Sequence, residues 1–180
     1  MIVRKASYED IPRLMEIYSS ARQIMRNSGN LHQWDNSYPS EDIIKKDISG
    51  GYCNVLCIPE SGSIIAAMAF IPGPDPTYEK IYDDISMTAE CSWPDNEPYH
   101  VIHRIAVEEP GHGAFGQLME WAFGRLSDSG CSPVIRIDTH ADNVIMHHLM
   151  DKNGFKRCGV IRLASGDPRI AYNRVGGKRK

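Results

Sequence analysis

The residues best suited to chemistry lie between His100 and Phe155. Gly111, Gly113 and Gly116 form a glycine-rich turn between a strand-like run, Val101 to Val107, and a helix-like run that follows it. Glycines let backbone N–H groups converge on an anion, and a helix that begins there points its positive end at the same spot. This spacing predicts phosphate binding. His103, on the strand before the turn, adds an imidazole, the side chain whose proton exchange lies closest to neutral pH.

Two kinds of phosphate site fit such a turn. Gly111-His112-Gly113-Ala114-Phe115-Gly116 matches the dinucleotide fingerprint G-x-G-x-x-G, and Asp138 ends the next strand where that fingerprint wants a ribose-binding acid. Against it, Glu108-Glu109-Pro110 separate the strand from the first glycine and set two carboxylates beside the supposed pyrophosphate. The fingerprint also usually opens its domain, whereas about half the chain precedes it here.

The second kind takes in more residues. Ile105-Ala106-Val107, the turn with Gly111 and Gly113, then Leu118-Met119, then Asn143 and the Gly154-Phe155 helix exit resemble the GNAT superfamily of acyl-CoA-dependent N-acetyltransferases. The resemblance implies an α+β fold, a mostly antiparallel mixed sheet flanked by helices. It implies acetyl-CoA as co-substrate, its pyrophosphate held by amides of the turn and its pantetheine arm flanked by Ile105, Ala106, Val107 and Asn143. Three positions depart from the family's pattern. Pro110 stands where Arg or Gln is usual, Phe115 where Gly or Ala is usual, and Met150 where a tyrosine often protonates the leaving thiolate.

The implied reaction is attack of an amine on a thioester within a ternary complex. A free alkylamine has a pKa near ~10.4 and arrives protonated at neutral pH, so a base must take its proton. His103 is the first candidate: the arylalkylamine branch of the family places a proton-relaying histidine on this strand. His100 and Glu108 are weaker ones, His147 and His148 read as a polar helix face, and His140 ends a strand. The oxyanion donor is expected to be backbone, the N–H of Val107 or a neighbour. The phosphates would take N–H groups from His112, Gly113, Ala114, Phe115 and Gly116. With Met150 unable to donate a proton, solvent or a distant tyrosine such as Tyr172 would serve the thiolate. Two rivals stand beside this reading: a degenerate acyl-CoA-binding module, and a nicotinamide oxidoreductase built on residues 111–116.

These groups need a scaffold, and 180 residues with 42% hydrophobic and 24% charged residues suit one soluble domain. The net charge of −3, with no basic stripe, argues against nucleic acid as a partner. Five scattered cysteines form neither a disulfide framework nor a zinc set, and no apolar run nears the ~20 residues of a membrane helix. The expectation is a cytoplasmic protein with no metal and no membrane partner. Family members often pair, which implies a homodimer.

In chain order, Ile2 to Lys5 reads as a strand, and Ser7 and Asp10 as caps for a helix whose stripe is Ile11, Leu14, Met15, Tyr18 and Met25. The loop 27–39 holds two large aromatics, Trp34 and Tyr38, candidates for contact with the acceptor. Ser40 caps a short helix with Ile43, Ile44 and Ile48, which Gly50-Gly51 ends. Residues 52–58 and 63–71 form a hairpin, and 78–84 reads as a short helix in a segment that could wall the acceptor pocket. Phe115, Leu118, Met119, Ala122, Phe123 and Leu126 give the next helix its core face. A strand, the helix from Asn143, and a closing hairpin complete the order.

Overall fold

Apolar side chains at helical spacing and β-branched runs of four to nine residues dictate the architecture. A computed structural model of the chain describes residues 1–108 and 113–177. Its fold class is α+β, with mostly antiparallel strands flanked by four helices. The chain divides into two compact units, Met1–Ile71 with Ile102–Ala122, and Pro72–Val101 with Phe123–Lys180.

The first unit begins with β1 (Ile2–Lys5), α1 (Ile11–Asn27), α2 (Glu41–Ser49), β2 (Cys53–Cys57) and β3 (Ile64–Pro72). β6 (Tyr99–Val107) lies beside β3, giving the order β1-β2-β3-β6. β1 and β2 pair antiparallel with Val3 opposite Leu56, and β2 and β3 with Val55 opposite Ala67. Leu14, Ile17, Tyr18 and Ala21 of α1 and Ile44 of α2 bury against Cys53, Val55, Cys57, Ala67 and Ala106. At about 25 cal/mol per Å2 of apolar area, this stripe is what holds α1 and α2 on the sheet. Cys53 and Cys57 are core members, and burial first, then the Asp47 charge, pushes the Cys53 thiol up to about 12. Ser40 caps α2 through Oγ, which accepts from the Ile43 N–H at 3.4 Å, and Gly51 at φ +70 turns the chain out of it. Ser7 instead caps a single 3-10 turn, while Asp10, the residue before α1, makes no side-chain cap and pairs with Arg4.

In the second unit the order is β7 (Val134–Thr139), β9 (Pro168–Val175), β8 (Lys156–Arg162), β4 (Ile81–Tyr82) and β5 (Glu90–Cys91), with α4 (Val144–Lys152) after β7. The remaining helix, α3, spans Ala114–Asp128. The helix expected over 78–84 is absent. One 3-10 turn, Pro76–Tyr78, opens on the Asp75 cap and gives way to β4, whose Tyr82 pairs with Val160 of β8 and Ile81 with Cys91 of β5. Strand neighbours overrode a local pattern too short to hold a helix. Gly159, at φ +153, lets β4 approach: a Cβ there would clash with the Tyr82 carbonyl. Gly154, at φ +77, returns the chain after α4, and the Phe155 N–H bonds the Met150 carbonyl at 3.0 Å, as the Asn153-Gly154 signal predicts.

Candidate active site

The first unit holds the strand and the helix start that the sequence singles out as candidates. α3 opens at Ala114, and the first bond back along it runs from the Gln117 N–H to the Gly113 carbonyl at 3.1 Å. Among the described residues, the N–H groups of Ala114, Phe115 and Gly116 meet no carbonyl one turn earlier, as expected at a helix start. The side chains of Ala114 and Phe115 are buried, so the helix start presents backbone. Gly113 takes φ +68, and a Cβ built on it meets nothing within 4 Å among the described residues. Gly111 and His112 lie outside the described residues.

Along β6, Ala106 is buried, while His103, Ile105 and Val107 are half-buried. The regular alternation expected to put His103 on one face with Ile105 and Val107 is interrupted. Arg104 adopts a left-handed backbone at φ 52, rare for an arginine. Its carbonyl accepts the Tyr18 hydroxyl at 3.0 Å, and its guanidinium grips Asp47 of α2 with Nε and Nη2, each at 2.7 Å. Burial alone would lower the Arg104 pKa, but Asp47 outweighs it and raises it. Both side chains are nearly enclosed, at 12% and 8% exposure.

Trp34 and Tyr38 sit beside this pair. Trp34 packs edge-on to Tyr18 at 5.9 Å between centroids and tilts against Tyr38 at 5.8 Å, and the Tyr38 hydroxyl lies 3.5 Å from Arg104 Nη1. Arg22 of α1 donates to the Tyr38 carbonyl at 3.1 Å. Glu108, considered as a base, is instead ion-paired with Arg13 at 2.5 Å, and its N–H bonds Ile65 of β3.

Within the second unit, Asn143 is buried and caps α4, its Oδ1 accepting from the Met146 N–H at 3.1 Å. Met150 is fully buried. His147 reaches across to β9. Its Nε2 faces the carbonyls of His140 and Ala141, each at 3.2 Å, and its Nδ1 lies 2.7 Å from the Tyr172 hydroxyl. Two carbonyls accept only, so the tautomer with the proton on Nε2 satisfies the network, and the Tyr172 O–H donates to Nδ1. Burial, then the charge of Asp151, raises the Tyr172 pKa. Replacing His147 by Ala strands that buried hydroxyl and should cost about 1–3 kcal/mol in urea unfolding, and adding Tyr172→Phe should restore part of it.

Comparison with known proteins places this arrangement. An acetyltransferase of the GNAT family from Streptococcus agalactiae is 28% identical, covers 98% of this chain and 96% of its own, and superposes with a TM-score of 0.78. The chain has the fold of this GNAT-family acetyltransferase and resembles it along nearly its whole length, which supports an acyltransferase. A ribosomal-protein-alanine N-acetyltransferase from Brucella melitensis, at 15% identity and TM-score 0.63, covers 97% of this chain and 99% of its own and shares the fold. A phosphinothricin acetyltransferase from Sinorhizobium meliloti, solved in complex with AcCoA, does so at 17% identity and TM-score 0.63, with 98% and 89% covered. No protein-family model matches the chain, and no curated protein matches it.

Three residues of this candidate arrangement escaped the sequence. Asp47 did carry a signal, an acid at i+3 from Ile44 on an apolar helix stripe, which marks a buried charge in need of a partner. Arg104 carried none, because nothing in the sequence marks a left-handed arginine. Tyr18 read only as core. Asp138, the supposed ribose-binding acid of the dinucleotide reading, accepts the buried Tyr78 hydroxyl at 2.6 Å.

Proposed function

We propose that this acyltransferase moves an acetyl group from acetyl-CoA to the primary amine of a small molecule or peptide by direct attack in a ternary complex. The observation that carries the proposal is the start of α3, where backbone amides and a left-handed glycine come next in the described chain after the strand that holds His103. A phosphate needs N–H donors and room, and among the described residues the start of α3 offers backbone amides and sets no side chain within 4 Å of a Cβ built on Gly113, which supports acetyl-CoA there.

The N–H groups of Gly113, Ala114, Phe115 and Gly116 hold the diphosphate. Ile105, Ala106 and Val107 offer strand backbone to the pantetheine, and Asn143 fixes the first turn of α4. The co-substrate supplies the thioester. His103 takes the proton of the amine, the Val107 N–H faces the developing oxyanion, and Trp34 and Tyr38 wall the acceptor. Met150 has no proton to give, so the leaving thiolate takes one from solvent or from a distant tyrosine such as Tyr172.

Gly113→Ala tests the cradle. A Cβ at φ +68 costs about 1–2 kcal/mol, so the KM for acetyl-CoA should rise roughly fivefold or more while the KM for the amine stays put. The whole reading is tested by incubating the protein with acetyl-CoA and a panel of amines while following free thiol. Thiol release with at least one amine is expected. A protein whose melting temperature rises with CoA but that releases no thiol would be the acyl-CoA-binding module that the buried Met150 favours. One stabilised by NAD and not by CoA would be neither.

A further inference from the structure

Tyr18, Trp34 and Tyr38 stand in a row, and one residue closes both ends of it. The Tyr18 hydroxyl bonds the Arg104 carbonyl at 3.0 Å, and the Tyr38 hydroxyl faces Arg104 Nη1 at 3.5 Å. Tyr18 is 1% exposed, so its hydroxyl needs a buried acceptor. Arg104 supplies it only because φ 52 turns its carbonyl out of the run of extended backbone. A left-handed non-glycine residue costs on the order of 1–3 kcal/mol and persists only where its surroundings hold it. Here Asp47, bound bidentate from α2, holds the side chain.

We infer that Arg104 is a positioning residue that registers the Trp34–Tyr38 loop on β6, one residue from His103, and so sets where an amine enters relative to the base. The inference rests on the proposed transferase reading for its consequence, though not for its geometry. α1 also ties the loop, through Arg22 to the Tyr38 carbonyl, but that contact fixes backbone to a helix and carries no information about the strand. Arg104 alone among the described residues links the two ends of the aromatic row to β6.

Removing one charge would leave the other buried and could unfold the chain, so the informative variant removes both. Arg104→Met with Asp47→Leu replaces the pair by apolar groups, a change often neutral for stability. Tyr18→Phe is the second variant and alters no charge. The full-length protein is labelled with 5-fluorotryptophan, and its three 19F lines are assigned by single Trp→Phe changes. In both variants the Trp34 line should shift or broaden while the Trp121 line holds. The kcat/KM for whichever amine the panel identifies should fall about 100-fold, with the KM for acetyl-CoA unchanged. An unmoved Trp34 line overturns the inference, and so does a moved line with wild-type kcat/KM for the amine. Should no amine be acetylated even by the wild-type protein, the transferase reading fails by itself, and the Trp34 line still decides whether Arg104 registers the loop.

Discussion

Replacing His103 by glutamine is expected to lower kcat at pH 7 by about 100- to 10 000-fold, the usual contribution of a positioned proton acceptor. The loss should sit in kcat, with the KM for acetyl-CoA unchanged, because His103 belongs to β6 and is not among the α3 amides proposed to hold the diphosphate. The pH dependence separates a base from a packing residue. An alkylamine near pKa ~10.4 is free in on the order of one molecule in a few thousand at pH 7 and far more often at pH 10. Solvent therefore supplies at high pH what His103 supplies at neutral pH, and the gap between the two proteins should close as pH rises. A glutamine variant with undiminished rate at pH 7 would remove His103 from the chemistry. One equally impaired at every pH would make it a structural residue.

The same strand shows what could be read in advance and what could not. Glycine punctuation and apolar periodicity carried the fold, because backbone preferences act over a few residues. Ser40 before Ile43, Gly50-Gly51 after α2 and Gly154 after α4 each took the role their types predict. The partnerships of the site are long in sequence and left no local mark. Arg104 meets Asp47 57 positions away, and Tyr172 meets His147 25 positions away. The segment 78–84 failed for the opposite reason: its local helical pattern was real but short, and pairing with β8 at Val160 won.

The largest effect on stability is expected at Asp47. Asp47→Ala leaves the Arg104 guanidinium enclosed without its carboxylate, and breaking a buried pair from one side typically costs about 3–5 kcal/mol. That is a large part of the roughly 5–15 kcal/mol by which a domain is stable, so the urea midpoint should drop steeply. Restoring the balance by adding Arg104→Met should recover most of the loss, because the desolvation penalty then has no charge to act on. This sign matters for how the site is held. If the pair were a net stabiliser by itself, the double variant would be as weak as the single one, and α2 would be anchored to β6 by charge. If the double variant recovers, apolar burial of Ile44 and its neighbours anchors α2, and the pair's remaining contribution is direction: an arginine turned left-handed, a carbonyl delivered to Tyr18, and an aromatic loop held at a fixed place beside His103.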